Sequence, residues 1–70
     1  MLIQTEVGRA EVVAKQLAAL PGVLSSEYVT GPYDVVVRVG ADTLDGLQAD
    51  IVPSIQAVDG ITRTLTCPIA

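Results

Sequence analysis

The chain has 70 residues, a net charge of −4 and 50% hydrophobic residues, and its only aromatic side chains are Tyr28 and Tyr33. So short a chain holds one domain, residues 1–70, because two cores cannot be built from it. Its aliphatic richness excludes disorder, and its four cations, Arg9, Lys15, Arg38 and Arg63, are too scattered to form the basic stripe that direct DNA binding needs.

Met1 to Val7 alternates loosely and reads as a strand that Gly8 breaks. From Arg9 to Leu20, apolar Ala10, Val13, Ala14, Leu17 and Leu20 recur at three and four residues, the stripe of an amphipathic helix. Pro21-Gly22 ends it. Val23 to Thr30 places Val23, Ser25, Glu27 and Val29 on one face and Leu24, Ser26, Tyr28 and Thr30 on the other, a mixture that suggests an edge strand. Gly31-Pro32 turns the chain into a strand from Tyr33 to Val39, with Val35, Val37 and Val39 on one face and Val36 on the other, as in a central strand.

Asp42 is the expected N-cap of a second helix, with Asp45 in its first turn. Leu44, Leu47, Ile51, Ile55 and Val58 form its apolar stripe, and Pro53 predicts a kink or restart between Ile51 and Pro53. Asp59-Gly60 is a second stop before a last strand, Ile61 to Ile69, in which Cys67 reads as a small core hydrophobe. LPGV at Leu20–Val23 and VDGI at Val58–Ile61 repeat one another, so two βαβ halves give the order βαββαβ. The fold class is α+β, ferredoxin-like, with two helices on one face of a four-stranded antiparallel sheet.

Two helices cover one side of such a sheet. A monomer would leave roughly several hundred Å² of apolar surface wet on the other, which soluble monomers rarely do. Self-association through that face is therefore expected, and domains this small commonly oligomerise.

Catalysis finds little material. There is no His and one Cys, which removes tetrahedral zinc sites, the usual His-based nucleophile pairs and any internal disulfide. Asp42, Asp45 and Asp50 fit helix capping and solvated surface better than a carboxylate pair. No catalytic residue, metal ligand or cofactor is assigned. No apolar run reaches the roughly 18–20 residues of a membrane span, and Met1-Leu2-Ile3 lacks the basic start of a signal peptide. The expected location is cytoplasmic, without membrane contact.

The segment GPYD, Gly31 to Asp34, differs in kind. Gly31 exposes backbone to close approach, Asp34 places a carboxylate at the sheet rim where an ammonium would pair, and turn N–H groups can receive a carboxylate. Together these suit a zwitterion such as a free amino acid. The plainer reading is that Gly31-Pro32 is only a hairpin turn with Asp34 as its Asx-type stabiliser. The residues alone leave both readings standing.

The stretch from Leu20 to Thr66, with LPGV, then VTGPYD before the valine strand, then a glycine turn leading to T-x-T at Thr64 and Thr66, resembles the effector-binding (RAM) domain of Lrp/AsnC regulators. The resemblance runs from about Val7 to Thr66. It implies a ferredoxin-like fold that dimerises through its sheets and assembles into an octamer or decamer ring, with an amino-acid effector at contacts between dimers. By that likeness Thr30, Gly31, Pro32, Tyr33 and Asp34 supply part of the site, and Gln56, Thr62 and Thr64 of a neighbouring subunit complete it. Full members carry a helix-turn-helix module that reads DNA; this chain opens directly into a strand and looks like a stand-alone form.

The leading expectation is a non-catalytic amino-acid (or related metabolite) sensor, modulating transcription regulation through partners such as full-length Lrp/AsnC regulators. The alternatives are a purely structural oligomerisation module and an enzyme of the dimeric α/β-barrel monooxygenase type, which shares the element order. The chain lacks the His or Trp that commonly lines such enzymes.

Overall fold

Ile3, Val35 and Val37 are fully buried at the centre of a four-stranded antiparallel sheet, and against them lie Val13, Ala14 and Leu17 of one helix and Ile55 of another. The elements are β1 (Leu2–Thr5), α1 (Ala10–Ala18), β2 (Val23–Tyr28), β3 (Val35–Val39), α2 (Leu44–Gly46), a π-helical turn at Leu47–Ile51, α3 (Val52–Gln56) and β4 (Ile61–Leu65). This computed structural model describes residues 1–68, the side chain of Leu44 excepted. The expectations for Leu44 in the second stripe and Ile69 in the last strand lie outside the described residues. The sheet order is β2-β3-β1-β4, the ferredoxin-like arrangement, with β3 central and β2 at an edge as the valine pattern and the mixed strand require.

The stripe of α1 packs as its periodicity demands, with Ala10 and Leu20 joining the core at its margins. Ser26 faces the same helix, its hydroxyl donating to the Ala14 carbonyl at 2.8 Å, so a polar residue on the helix-facing side finds a partner. The two helix–strand turns of the internal repeat match in backbone form, with Gly22 at φ 85° and Gly60 at φ 95°.

Several boundaries differ from expectation, each for a local reason. Val7 lies in the turn after β1 and is fully exposed, not in a strand. Thr43, not Asp42, caps the second helical stretch: its Oγ1 accepts the Gly46 N–H at 2.9 Å, the bond an N-cap makes to the third helical residue. Pro53 has no N–H to donate, and its ring would crowd the carbonyl four residues back. The helix widens there instead, with the Val52 N–H bonding the Leu47 carbonyl across a π turn, and restarts at Val52. Cys67 lies beyond β4 and is exposed; it is no core residue.

The expected faces of β2 are corrected by a bulge. Val23 pairs with Val39 and Ser25 with Arg38, so Leu24 is the extra residue between them. Val23 therefore packs with the core alongside Val39, whereas Leu24 is 74% exposed and shares a cleft with Leu2, Val36 and Arg38. These belong to the sheet face that the helices leave open. One register row crosses all four strands on it, Glu27–Val36–Leu2–Leu65.

Candidate functional site

The connection from β2 to β3 is closed at its base by backbone bonds: the Val29 N–H donates to the Asp34 carbonyl at 2.8 Å, and the Asp34 N–H to the Ile3 carbonyl at 2.9 Å. Beyond that base, Thr30, Gly31 and Pro32 are exposed, while Tyr33 and Asp34 are half-buried. Gly31 adopts φ 143°, a conformation side chains rarely take, and a Cβ there would meet nothing within 4 Å. Backbone conformation therefore demands the glycine, and the space before it is open. Among the described residues the N–H groups of Gly31 and Tyr33 have no protein partner.

Two further bonds, each using a side chain, pin this turn to β1. The Thr5 N–H donates to Asp34 Oδ2 at 2.8 Å, and Gln4 Nε2 donates to the Pro32 carbonyl at 2.9 Å. Extending the register of Leu2 with Val36 by two residues sets Gln4 opposite Asp34. A carboxylate accepts through both oxygens, and Oδ1 of Asp34 has no partner among the described residues. Asp34 thus stabilises the turn as the plain structural reading holds, and still keeps an acceptor for a ligand. The sequence reading does not single out Gln4 or Thr5. The signal lies in the alternation of β1, where Gln4 stands on the opposite face from buried Ile3, at the strand end beside the rim.

Gln56, Thr62 and Thr64 come together apart from the turn. Gln56 Nε2 donates to Thr64 Oγ1 at 3.2 Å, and with Ile61, Thr62 and Arg63 they line a shallow depression of about 240 Å³. No residue from Thr30 to Asp34 lines it. Within one chain the eight residues form two groups, a turn and a depression.

A larger open cleft, about 930 Å³, lies elsewhere and contains none of the eight. Leu2, Leu24 and Val36 line it with the cation Arg38, together with the Gly40–Thr43 and Thr66–Pro68 segments. At its border the Met1 ammonium donates to the Val37 carbonyl. Burial pushes its pKa below the ordinary value, which the nearby Cys67 partly opposes. The ion pairs Arg9–Asp59 and Lys15–Glu11 are at the surface and of little consequence for stability. Among the described residues no three His, Cys, Asp or Glu side chains gather as a metal centre requires. No helix among them is long and apolar enough to cross a membrane.

The family profile of the Lrp/AsnC ligand binding domain matches residues 1–69. The chain belongs to that family. This Lrp/AsnC ligand-binding domain is similar to hypothetical protein PHS023 from Pyrococcus horikoshii, a crystal structure 34% identical with a TM-score of 0.79 over 89% of this chain and 75% of that one. It is similar in the same degree to FFRP-DM1, 34% identical with a TM-score of 0.78 over 89% of this chain and 83% of that one. A third, TTHA0845 from Thermus thermophilus, is 27% identical with a TM-score of 0.78 over 97% of this chain and 92% of that one. No curated protein sequence matches the domain. Family and neighbours agree with the ferredoxin-like fold and support a regulatory sensing domain.

Proposed function

We propose that the domain is a non-catalytic cytoplasmic sensor of a free amino acid or a related small metabolite, with the turn from Thr30 to Asp34 as the ligand-binding element. The observation that carries this is the set of groups in one turn for which the described residues supply no partner: a carboxylate oxygen of Asp34 and the N–H groups of Gly31 and Tyr33. An acceptor for an ammonium and donors for a carboxylate, both at an exposed rim, complement a zwitterion. Membership of a ligand-binding family supports the same reading. Gln56, Thr62 and Thr64 of a neighbouring subunit complete the site, in keeping with their separation from the turn within one chain.

Assembly is part of the proposal. Val36, Leu2 and Leu65 of the register row, with Leu24 added by the bulge, give the open face an apolar surface that Glu27 borders at one end. Glu27, Arg38 and Arg63 share this face, and none is in an ion pair among the described residues. A second copy related by a two-fold axis would bury the apolar row, at roughly 25 cal/mol per Å² before association costs, and bring these opposite charges within reach. Dimers then associate into an octamer or decamer ring, and regulators of the same family are the partners through which transcription is modulated. Calorimetry against the standard amino acids tests the ligand, and light scattering tests the assembly.

A further inference from the structure

Strand β1 holds the candidate turn through three consecutive residues: the Ile3 carbonyl accepts the Asp34 N–H, the Gln4 side-chain amide donates to the Pro32 carbonyl, and the Thr5 N–H donates to Asp34 Oδ2. The Ile3 and Thr5 contacts use β1 backbone atoms, which the sheet ladder fixes. The Gln4 contact alone is made by a long side chain of β1, half-buried but with several rotatable bonds and a hydrogen bond that is open to solvent.

That side chain belongs to two surfaces. Gln4 pairs with Arg63 and stands on the open sheet face, two residues along the strand from Leu2 in the apolar row. Its amide reaches from this face to the Pro32 carbonyl inside the turn. On an uncovered face, water competes for the amide and the side chain samples other rotamers, so the bond contributes little. Covering the face with a second copy removes both competitors.

We propose that Gln4 is a positioning residue that couples pairing of two copies across the open sheet face to the conformation of the Gly31–Tyr33 turn. This rests on the assembly reading above and adds to it a specific connection. Linkage makes the connection reciprocal: whatever factor pairing contributes to the ordered turn, a ligand that orders the turn returns to pairing.

The test needs no ligand. In a dilution series of ¹⁵N-labelled protein, the Gly31 and Tyr33 amide resonances shift with the same midpoint as those of Leu2 and Leu65. Exchange of the Asp34 amide accelerates roughly three- to tenfold on dissociation, the effect of losing one modest hydrogen bond. In Gln4→Met, Leu2 and Leu65 still report dissociation while Gly31, Tyr33 and Asp34 stay constant; Gln4→Ala repeats this without the longer side chain. If pairing outlasts dilution, Leu65→Asp supplies the dissociated reference. Turn resonances that stay fixed in the wild type while Leu2 and Leu65 shift would overturn the coupling and leave the assembly reading intact. The same response in the Gln4 variants would also overturn it. A chain that remains monomeric at every concentration would overturn both.

Discussion

The Thr5 N–H donates to Asp34 Oδ2 at 2.8 Å, which ties the first residue after the GPY turn to the far end of β1. The bond is part-buried and charge-assisted, so its loss costs more than an ordinary surface contact. It also changes how Asp34 must be tested, because one carboxylate serves two purposes through its two oxygens.

Asp34→Ala removes the structural acceptor along with any ligand contact, and is expected to destabilise the domain by about 1–2 kcal/mol in urea denaturation. Asp34→Asn keeps a carbonyl oxygen for Thr5 while presenting an amide in place of the charge. It is expected to stay within about 0.5 kcal/mol of wild type. Equal losses in the two variants would mean that the charge, and not the acceptor, holds the turn.

Capping gives a second comparison. Thr43→Ala removes the Oγ1 that accepts the Gly46 N–H and should cost about 1 kcal/mol. Asp42→Ala, at the position that sequence favoured, should change stability by no more than about 0.5 kcal/mol. Thermal or urea unfolding of the pair reads the difference directly.

At Gly22 the backbone has φ 85°, and an added Cβ would fall 2.8 Å from Ile51 Cδ1. Gly22→Ala therefore combines left-handed strain with a clash between the turn before β2 and the Ile51 side chain of the π turn, and is expected to cost about 2–3 kcal/mol. Gly31→Ala carries conformational strain alone, since open space surrounds it, and should cost about 1–3 kcal/mol. Denaturant midpoints rank the two.

Assembly has its own variant. Val36→Asp places a carboxylate in the middle of the apolar row beside Glu27. It is expected to weaken self-association by about 2–4 kcal/mol, roughly 30- to 1,000-fold, with the monomer fold retained by circular dichroism. Sedimentation velocity showing unchanged association would remove the open face as the interface.

The architecture was legible because its signals are periodic. The α1 stripe and the alternating valines of β3 specify which side of each element is buried, and Val13, Ala14, Leu17, Val35 and Val37 are buried accordingly. The failures are aperiodic. A one-residue bulge at Leu24 inverts part of β2 without any composition cue. Two adjacent residues able to cap, Asp42 and Thr43, differ only in where the helix begins. Cys67 follows a β-rich run but lies past the last ladder bond, where its thiol meets solvent.

The candidate site was legible in one half only. GPYD announces itself through a turn glycine and a carboxylate next to a buried strand. The Gln4 and Thr5 contacts behind it cross 28 and 29 positions of sequence, and follow from sheet register, which no local pattern displays. The grouping of Gln56 with Thr64 likewise depends on how α3 sits over β4.

The central claim is that the turn binds a zwitterion through the charge of Asp34. Isothermal titration calorimetry of wild type and Asp34→Asn against the standard amino acids, with light scattering on the same samples, tests it most directly. The expected result is saturable heat for at least one amino acid in the wild type, weakened at least about tenfold in Asp34→Asn with the assembly unchanged. No heat for any amino acid from intact wild-type oligomers, or equal affinity in the variant, would contradict it.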